Sequence, residues 1–472
     1  MAAIHGKNYG EPTLDLNFAG NKSLVDTTTQ KTYVTFSRAQ SGNEATYIGS
    51  DGLIKYAAAD EARFDHDPAT GESLGLLIEE SRTNLQPYGS DYSTNYWDFS
   101  YGISKTPNAT VSPDGTLSAT LIQQDTTDSI HQLAGGFGFN WGYITTSSTY
   151  TLSLYVKYYN SNKIRFMEQS NYGGSTVGSY TKAGIVFNFA TESIEKTIQW
   201  NNSSHSRIAG YKVDKFPNGW YRLNLSVIPG SDLNNQRVFF GIYPQEGNLS
   251  TPQSIPPGAV GIDGQNYSSL TPVTNFVGDG TTGVYIWGAQ VENSHFPTSY
   301  IPTTSSAVSR AADVASISGT NFTSWFNQSE GTFVGTVGSR GRLLLSSVST
   351  GPNVYEDTTY GFSSNSEDYG GSFNLRYEDR SQVILNYMNA GWTSSIPMQN
   401  YAGAYSAEGV AGAWEGNLGT PQTTLSKPLQ DDLSHMWIGR SHSFPDSKVQ
   451  HIARLTYYPK RLPDIELQQL TK

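Results

Sequence analysis

The sequence has no cysteine. That excludes disulfides, thiolate metal sites and a cysteine nucleophile, and it fits assembly in a reducing compartment. Charge is scarce. Asp, Glu, Lys and Arg make up 15 % of 472 residues, against about a quarter in an ordinary soluble chain. Acidic residues outnumber basic ones by 41 to 30, for a net charge of −11. A phosphate backbone would be repelled, and no basic cluster larger than Lys460-Arg461 offsets this, so nucleic acid is not an expected partner. No apolar run approaches ~18 residues, so membrane insertion through a helix is not expected. Met1–Asn8 lacks the apolar stretch of a signal peptide, an expectation against export by that route. Gly-x-Ser-x-Gly, His-Glu-x-x-His and phosphate-loop patterns are absent. The chain is therefore expected not to be an enzyme, although a glycosidase carboxylate pair needs no local motif and stays open.

What fills the deficit is Gly, Ser, Thr, Asn and Tyr, with aromatic residues at 12 %. This is the composition of short strands joined by many turns, with enough apolar area to bury. At roughly 100–200 residues per domain, the length allows two to four domains. Period-two alternation is clearest at Leu152/Leu154/Val156/Tyr158 and Tyr221/Leu223/Leu225/Val227, each opposite a polar face. Ile185/Phe187/Phe189, Val238/Phe240/Ile242 and Tyr285/Trp287/Ala289/Val291 continue it. One apolar and one polar face predict antiparallel sheets wet on one side. The fold class expected is mostly β: tandem antiparallel β-sandwiches, as jelly rolls, after a small β-rich N-terminal region. The blocks are residues 1–89, 90–304 and 312–472. A proline-interrupted linker, Pro297–Ala307, precedes the last. The first block is small for a core of its own and is expected to lean on a neighbour or another subunit. The chain should end in a helix opened by Pro463, with Leu467 and Leu470 on one face.

Several segments carry a resemblance. The stretch from Arg63 through Asp65-His-Asp-Pro-Ala-Thr-Gly-Glu72 to Leu85 resembles a signature of phage virion proteins of the head-spike-fibre or tail-fibre type. Gly219-Trp-Tyr-Arg222, Trp287-Gly-Ala-Gln-Val-Glu292 and Thr298-Ser-Tyr-Ile-Pro-Thr303 resemble the second module of those proteins, a carbohydrate-binding-module-like jelly roll. Ala453-Arg-Leu-Thr-Tyr-Tyr-Pro-Lys-Arg-Leu462 resembles the last strand and turn of concanavalin A-like (laminin-G-like) sandwiches. The resemblance implies a fibre-type attachment region at 1–89, location in the virion, other virion proteins as partners, a homo-oligomer (a trimer) and contact with a host surface glycan. Two alternatives stand beside it: a tailspike depolymerase, and a purely structural decoration protein. A secreted lectin or adhesin is a third. Fold-level likeness is analogy for function.

The candidate sites are few. Asp65, Asp67 and Glu72 surround Gly71 and could hold Ca²⁺ through hard oxygen ligands, the only cofactor considered. The spacing is not that of an EF-hand, and aspartates bonding nearby amides in a turn are the commoner arrangement. Glu79 and Glu80 are adjacent, so on a strand they face opposite ways and cannot flank one bond; Glu79 is expected to pair with Arg82. Trp392, Tyr401, Tyr405 and Trp414, in a Gly/Ala-rich stretch of the last block, could stack on sugars, as could Trp141 and Tyr143 beyond Gly135–Asn140. Core packing is the competing role for each. Trp220 and Trp287 are expected in the core. Host contact is expected in the last block, which the linker places farthest from the anchor.

Overall fold

The computed structural model describes residues 10–42, 44–97, 101–135, 148–170, 182–198, 206–229, 238–243, 276–338, 342–346, 360–364, 371–376, 382–386, 398–425, 433–439 and 450–472. The chain is mostly β and its sheets are antiparallel, as expected. Among the described residues the α-helices are Phe18–Asn21, Thr320–Thr323 and Asp464–Leu470, none long and apolar enough to cross a membrane.

The middle sandwich pairs a six-stranded with a five-stranded sheet. The first runs, in spatial order, Arg207–Lys215, Trp220–Ile228, Tyr150–Tyr158, Gly283–Asn293, Leu117–Gln124 and Ile103–Val111. The second runs Leu133–Gly135, Val238–Tyr243, Lys163–Ser170, Lys182–Asn188 and Ser193–Ile198. Between them lie Leu152, Leu154, Val156, Leu223, Leu225, Val227, Ile185 and Phe187, the residues that alternation places on one face. The pattern breaks at one point. Gly288 has φ +63, and the register slips where Ser153 opposes Gln290 and Tyr155 opposes Trp287. This bulge reverses the faces. Ala289 and Val291 point into the core with Ile286, whereas Trp287 points out of it.

The outer face of the six-stranded sheet is not wet where the polar residues of the central strands stand. Thr151, Ser153, Asn224, Ser226 and Arg222 are all buried. The segment after Asn293, running into the stretch read as a linker, covers part of this face. The Thr151 hydroxyl donates to the Ser294 carbonyl at 2.7 Å, the Ser226 hydroxyl to the His295 carbonyl at 3.0 Å, and Arg222 to the Thr298 carbonyl at 2.8 Å. Polar alternation there marks a polar interface within the chain.

The last sandwich has an eight-stranded sheet whose main path is Asn417–Leu418, Gly409–Trp414, Met398–Ser406, Gly331–Gly338, Gln450–Tyr458, Ser73–Ile78 and Arg63–His66. Leu14–Leu16 also pairs with Gln450–Tyr458. A seven-stranded sheet accompanies it, with Thr35–Ser37 at one edge beside Val314–Ser318. Their core joins Leu14, Leu16, Leu76 and Ile78 to Ile317, Phe333, Met436, Leu455 and Tyr457. The boundary drawn at residue 89 therefore does not separate two cores. The first block leans on its own chain, giving strands to both sheets of the last sandwich. Its hairpin, Ala45–Ile48 with Ile54–Ala57, lies against the middle sandwich, where Ile54 joins Ala119, Tyr155, Trp287 and Tyr300. The terminal helix starts at Asp464 after Pro463, which caps it, and buries Leu467 over Ala402, Ala404, Ala411 and Ala413.

Gly75 shows why the first signature contains a glycine. It has φ +84, and an added Cβ would lie 2.2 Å from the Ile452 carbonyl oxygen. Gly75→Ala is expected to destabilise the chain by about 2 kcal/mol through strain and backbone displacement. Urea unfolding of the two chains tests this, and an unchanged midpoint would remove the argument.

Candidate functional site

The residues of the first signature meet at a buried charge junction. Arg63 opens one strand, Glu79 follows the next, and Asp313 precedes Val314–Ser318. Arg38 and Arg310 complete the group, and all five are at most 1 % exposed. Arg38 Nη1 lies 2.9 Å from Asp313 Oδ1, Arg63 Nη1 2.8 Å from Glu79 Oε2, and Arg310 Nη1 3.3 Å from Glu79 Oε2. Arg63 Nη2 also pairs with Asp313 Oδ2. Ser299 donates its amide to Glu79 Oε1 at 2.8 Å and its hydroxyl to Oε2 at 2.6 Å. The Glu79 amide donates to Asp313 Oδ2 at 2.8 Å. Burial alone would raise the Glu79 pKa, but Arg310 and Arg63 outweigh it and hold the carboxyl at about 2. Every oxygen of this carboxylate pair is engaged, and neither group reaches solvent. They hold structure together and are not placed for acid–base work on a substrate.

The second-module segments meet in an adjoining network. Gln290 Oε1 accepts the Ile301 amide at 2.7 Å, and Glu292 accepts the Thr298 hydroxyl at 2.6 Å and its amide at 3.0 Å. Asn84, inside the first signature, donates to the Ile301 carbonyl at 2.8 Å and accepts the Val291 amide at 3.0 Å. Trp287 packs on Tyr155 and Tyr300, and its indole N–H donates to Ser118 at 3.1 Å. Trp220 is buried and donates to the Val111 carbonyl at 3.0 Å. Segments far apart in sequence thus converge on one seam joining the first block, the middle sandwich and the last. Sequence reasoning missed Arg38, Arg310 and Asp313. Their only signal is a lone charge beside a run of alternating residues.

Other expectations need correction. Glu79 pairs with Arg63 and Arg310, and it is Glu80 that pairs with Arg82. Asp65, Asp67 and Glu72 do not converge as a Ca²⁺ site. Asp65 accepts from the Ile48 amide and stands 2.7 Å from His451 Nε2. Asp67 accepts the amides of Ala69 and Thr70 at 2.9 and 2.8 Å, an aspartate turn. Among the described residues no group of three or more His, Asp or Glu could hold a metal. Tyr401 and Tyr405 are 2 % and 0 % exposed, so neither offers a face to a sugar. The Tyr405 hydroxyl donates to the Asn327 carbonyl at 2.6 Å. Alternation turns these rings inward, and the alanines that alternate with them, Ala402 and Ala404, face the other way and seat the terminal helix. Trp414 is half-buried against the same core. Trp392, Trp141 and Tyr143 lie outside the described residues.

No family model and no curated protein matches the chain. Among solved structures it is similar to the CBM40 module of Ruminococcus gnavus IT-sialidase bound to α2,6-sialyllactose. Identity is 12 %, the match covers 31 % of this chain and 85 % of that one, and the TM-score is 0.26. It is also similar to the SAP-like pentraxin of Limulus polyphemus, at 10 % identity over 30 % of this chain and 70 % of that one, TM-score 0.23. The binding domain of botulinum neurotoxin DC, in complex with rat synaptotagmin II, matches at 11 % identity over 34 % and 39 %, TM-score 0.27. At these values the likeness carries no argument about ligand or activity.

Proposed function

We propose that this chain is a non-enzymatic structural protein of a bacteriophage particle, a fibre- or spike-type appendage that contacts a glycan of the host surface. One observation carries the reading. The segments that resemble phage virion proteins converge on a solvent-excluded seam, so what the resemblance marks is a joint. A charge junction with both carboxylates engaged makes a stiff connection between sandwiches, as an appendage under mechanical load needs, and leaves loops and sheet faces for contact. Other virion proteins and further copies of the chain, as a trimer, are the partners in this reading.

Immunogold labelling of intact particles with antibody to the chain tests it. Labelled appendages are expected, and particles without label would overturn the virion assignment. Purified chain incubated with host surface polysaccharide is expected to release no new reducing ends. Their appearance would replace the reading with that of a depolymerase.

A further inference from the structure

The first block covers only part of the outer face of the middle sandwich. Its hairpin lies over the row formed by Ala119, Tyr155 and Trp287. In the next row Thr106 opposes Leu121, Leu121 opposes Tyr285, and Tyr285 opposes Lys157. Tyr159 lies two residues beyond Lys157 and is 40 % exposed. Its ring meets that of Tyr285 edge to face, with centroids 5.4 Å apart and planes at 79°. The backbone under this corner is pinned. Asn160 accepts the Gly283 amide at 2.8 Å and donates to the Thr281 carbonyl at 3.0 Å, and Gln123 donates to the same carbonyl at 3.0 Å. The Asp279 carboxylate of the adjoining turn is occupied by the Thr281 and Thr282 amides and the Thr282 hydroxyl.

Among the described residues, three polar groups in this corner have no partner. Neither the Tyr159 and Tyr285 hydroxyls nor the Lys157 ammonium has a hydrogen-bond or ion-pair partner among the described residues. Among the described residues Lys157 is thus a cation without a counter-ion, on a chain of net charge −11 where acidic residues are in excess. Two crossed rings, two open phenol hydroxyls and one cation on a rigid floor suit a particular kind of ligand. The rings offer surface to the C–H face of a pyranose, the hydroxyls hydrogen-bond to ring substituents, and the ammonium selects an anion.

We infer that Lys157, Tyr159 and Tyr285 form a binding platform for a pyranose that carries a carboxylate. The inference rests on the glycan-contact reading above and assigns it a place and a ligand class. It locates the contact in the middle sandwich rather than the last.

The test uses the full chain on an array of hexuronate- and nonulosonate-bearing oligosaccharides beside neutral hexose oligosaccharides. Wild type is expected to retain acidic sugars over neutral ones, less strongly as salt rises. Tyr159→Ala and Lys157→Gln should each weaken binding about tenfold. Both side chains reach solvent, so melting curves of the variants should overlay that of wild type. Wild-type binding that both variants keep would overturn this site while leaving glycan contact standing elsewhere on the chain. A preference for neutral sugars would overturn the ligand class. No retention of any sugar would overturn the inference together with the glycan part of the proposed function, leaving the particle labelling to decide the rest.

Discussion

Asp313→Ala is expected to lower the stability of the whole chain by about 3–5 kcal/mol, since it strips a fully buried junction of one of its two carboxylates. Asp313 is 0 % exposed and pairs with both Arg38 and Arg63. Its loss leaves three buried guanidinium groups with Glu79 as the junction's one remaining carboxylate, paired with Arg63 and Arg310 but not with Arg38. It also removes the acceptor of the Glu79 amide. The residues involved come from the first block and from the start of the last, and Ser299 ties in the strap over the middle sandwich. The loss should therefore appear as a lower midpoint for the entire chain, with a fall in melting temperature of roughly 10 °C. Asp51→Ala is the control. It breaks an exposed pair with Lys55 and should cost less than about 1 kcal/mol. If the two variants melt alike, the junction does not hold the chain together.

Much of this architecture is legible in the sequence because strand periodicity is a local property. The inward faces of Tyr150–Tyr158 and Trp220–Ile228 can be read from every second residue, and the structure buries those residues except Tyr158, which is exposed at the strand end. The same reasoning fails at Gly288, where a positive φ inserts one residue and exchanges the faces of Trp287 and Ala289. Alternation reports which residues differ in polarity. It does not report what covers the polar side. Thr151 and Ser226 look like a solvated face but meet the strap that follows Asn293, and Ser153 accepts from the buried Arg222. The Gly/Ala-rich run around Tyr401 and Tyr405 looks like an open aromatic platform, whereas its alanines are small because a helix rests on them.

Long-range pairing is what local reading cannot supply. Leu14–Leu16 pairs with a strand near the other end of the chain, Gln450–Tyr458, so the first block merges with the last in a way that no boundary drawn along the chain reveals. The charge junction has the same character. Arg38 and Asp313 are 275 residues apart, and nothing near either one announces the other. The signature segments are conspicuous in the sequence, and their residues turn out to serve the seam. The platform at Tyr159 and Tyr285 is inconspicuous, since its members are ordinary tyrosines at a strand end and in mid-strand.

Acid should weaken the chain through Glu79 in a defined pH window. The carboxyl is held at about 2 in the folded chain, against an ordinary value of 4.5. Between these values the unfolded chain binds the proton more readily than the folded one, so stability rises with pH across the window. The contribution is fully present above pH 4.5 and is lost as pH falls through about 2. A shift of this size corresponds to about 3 kcal/mol. Other carboxyls, such as Asp15 and Asp26, are also held low and will add to acid unfolding. Comparison with Glu79→Gln isolates the junction, because those groups are common to both chains and cancel. The introduced amide cannot titrate, and it leaves Arg63 and Arg310 without their shared anion, so the variant should be markedly less stable than wild type at pH 7. Urea unfolding at a series of pH values should show that gap narrowing by about 3 kcal/mol between pH 5 and pH 2 as wild type takes up its proton. A gap that stays constant across the window would mean that Glu79 titrates alike in the folded and unfolded chains, and that its ion pairs do not favour the charged form.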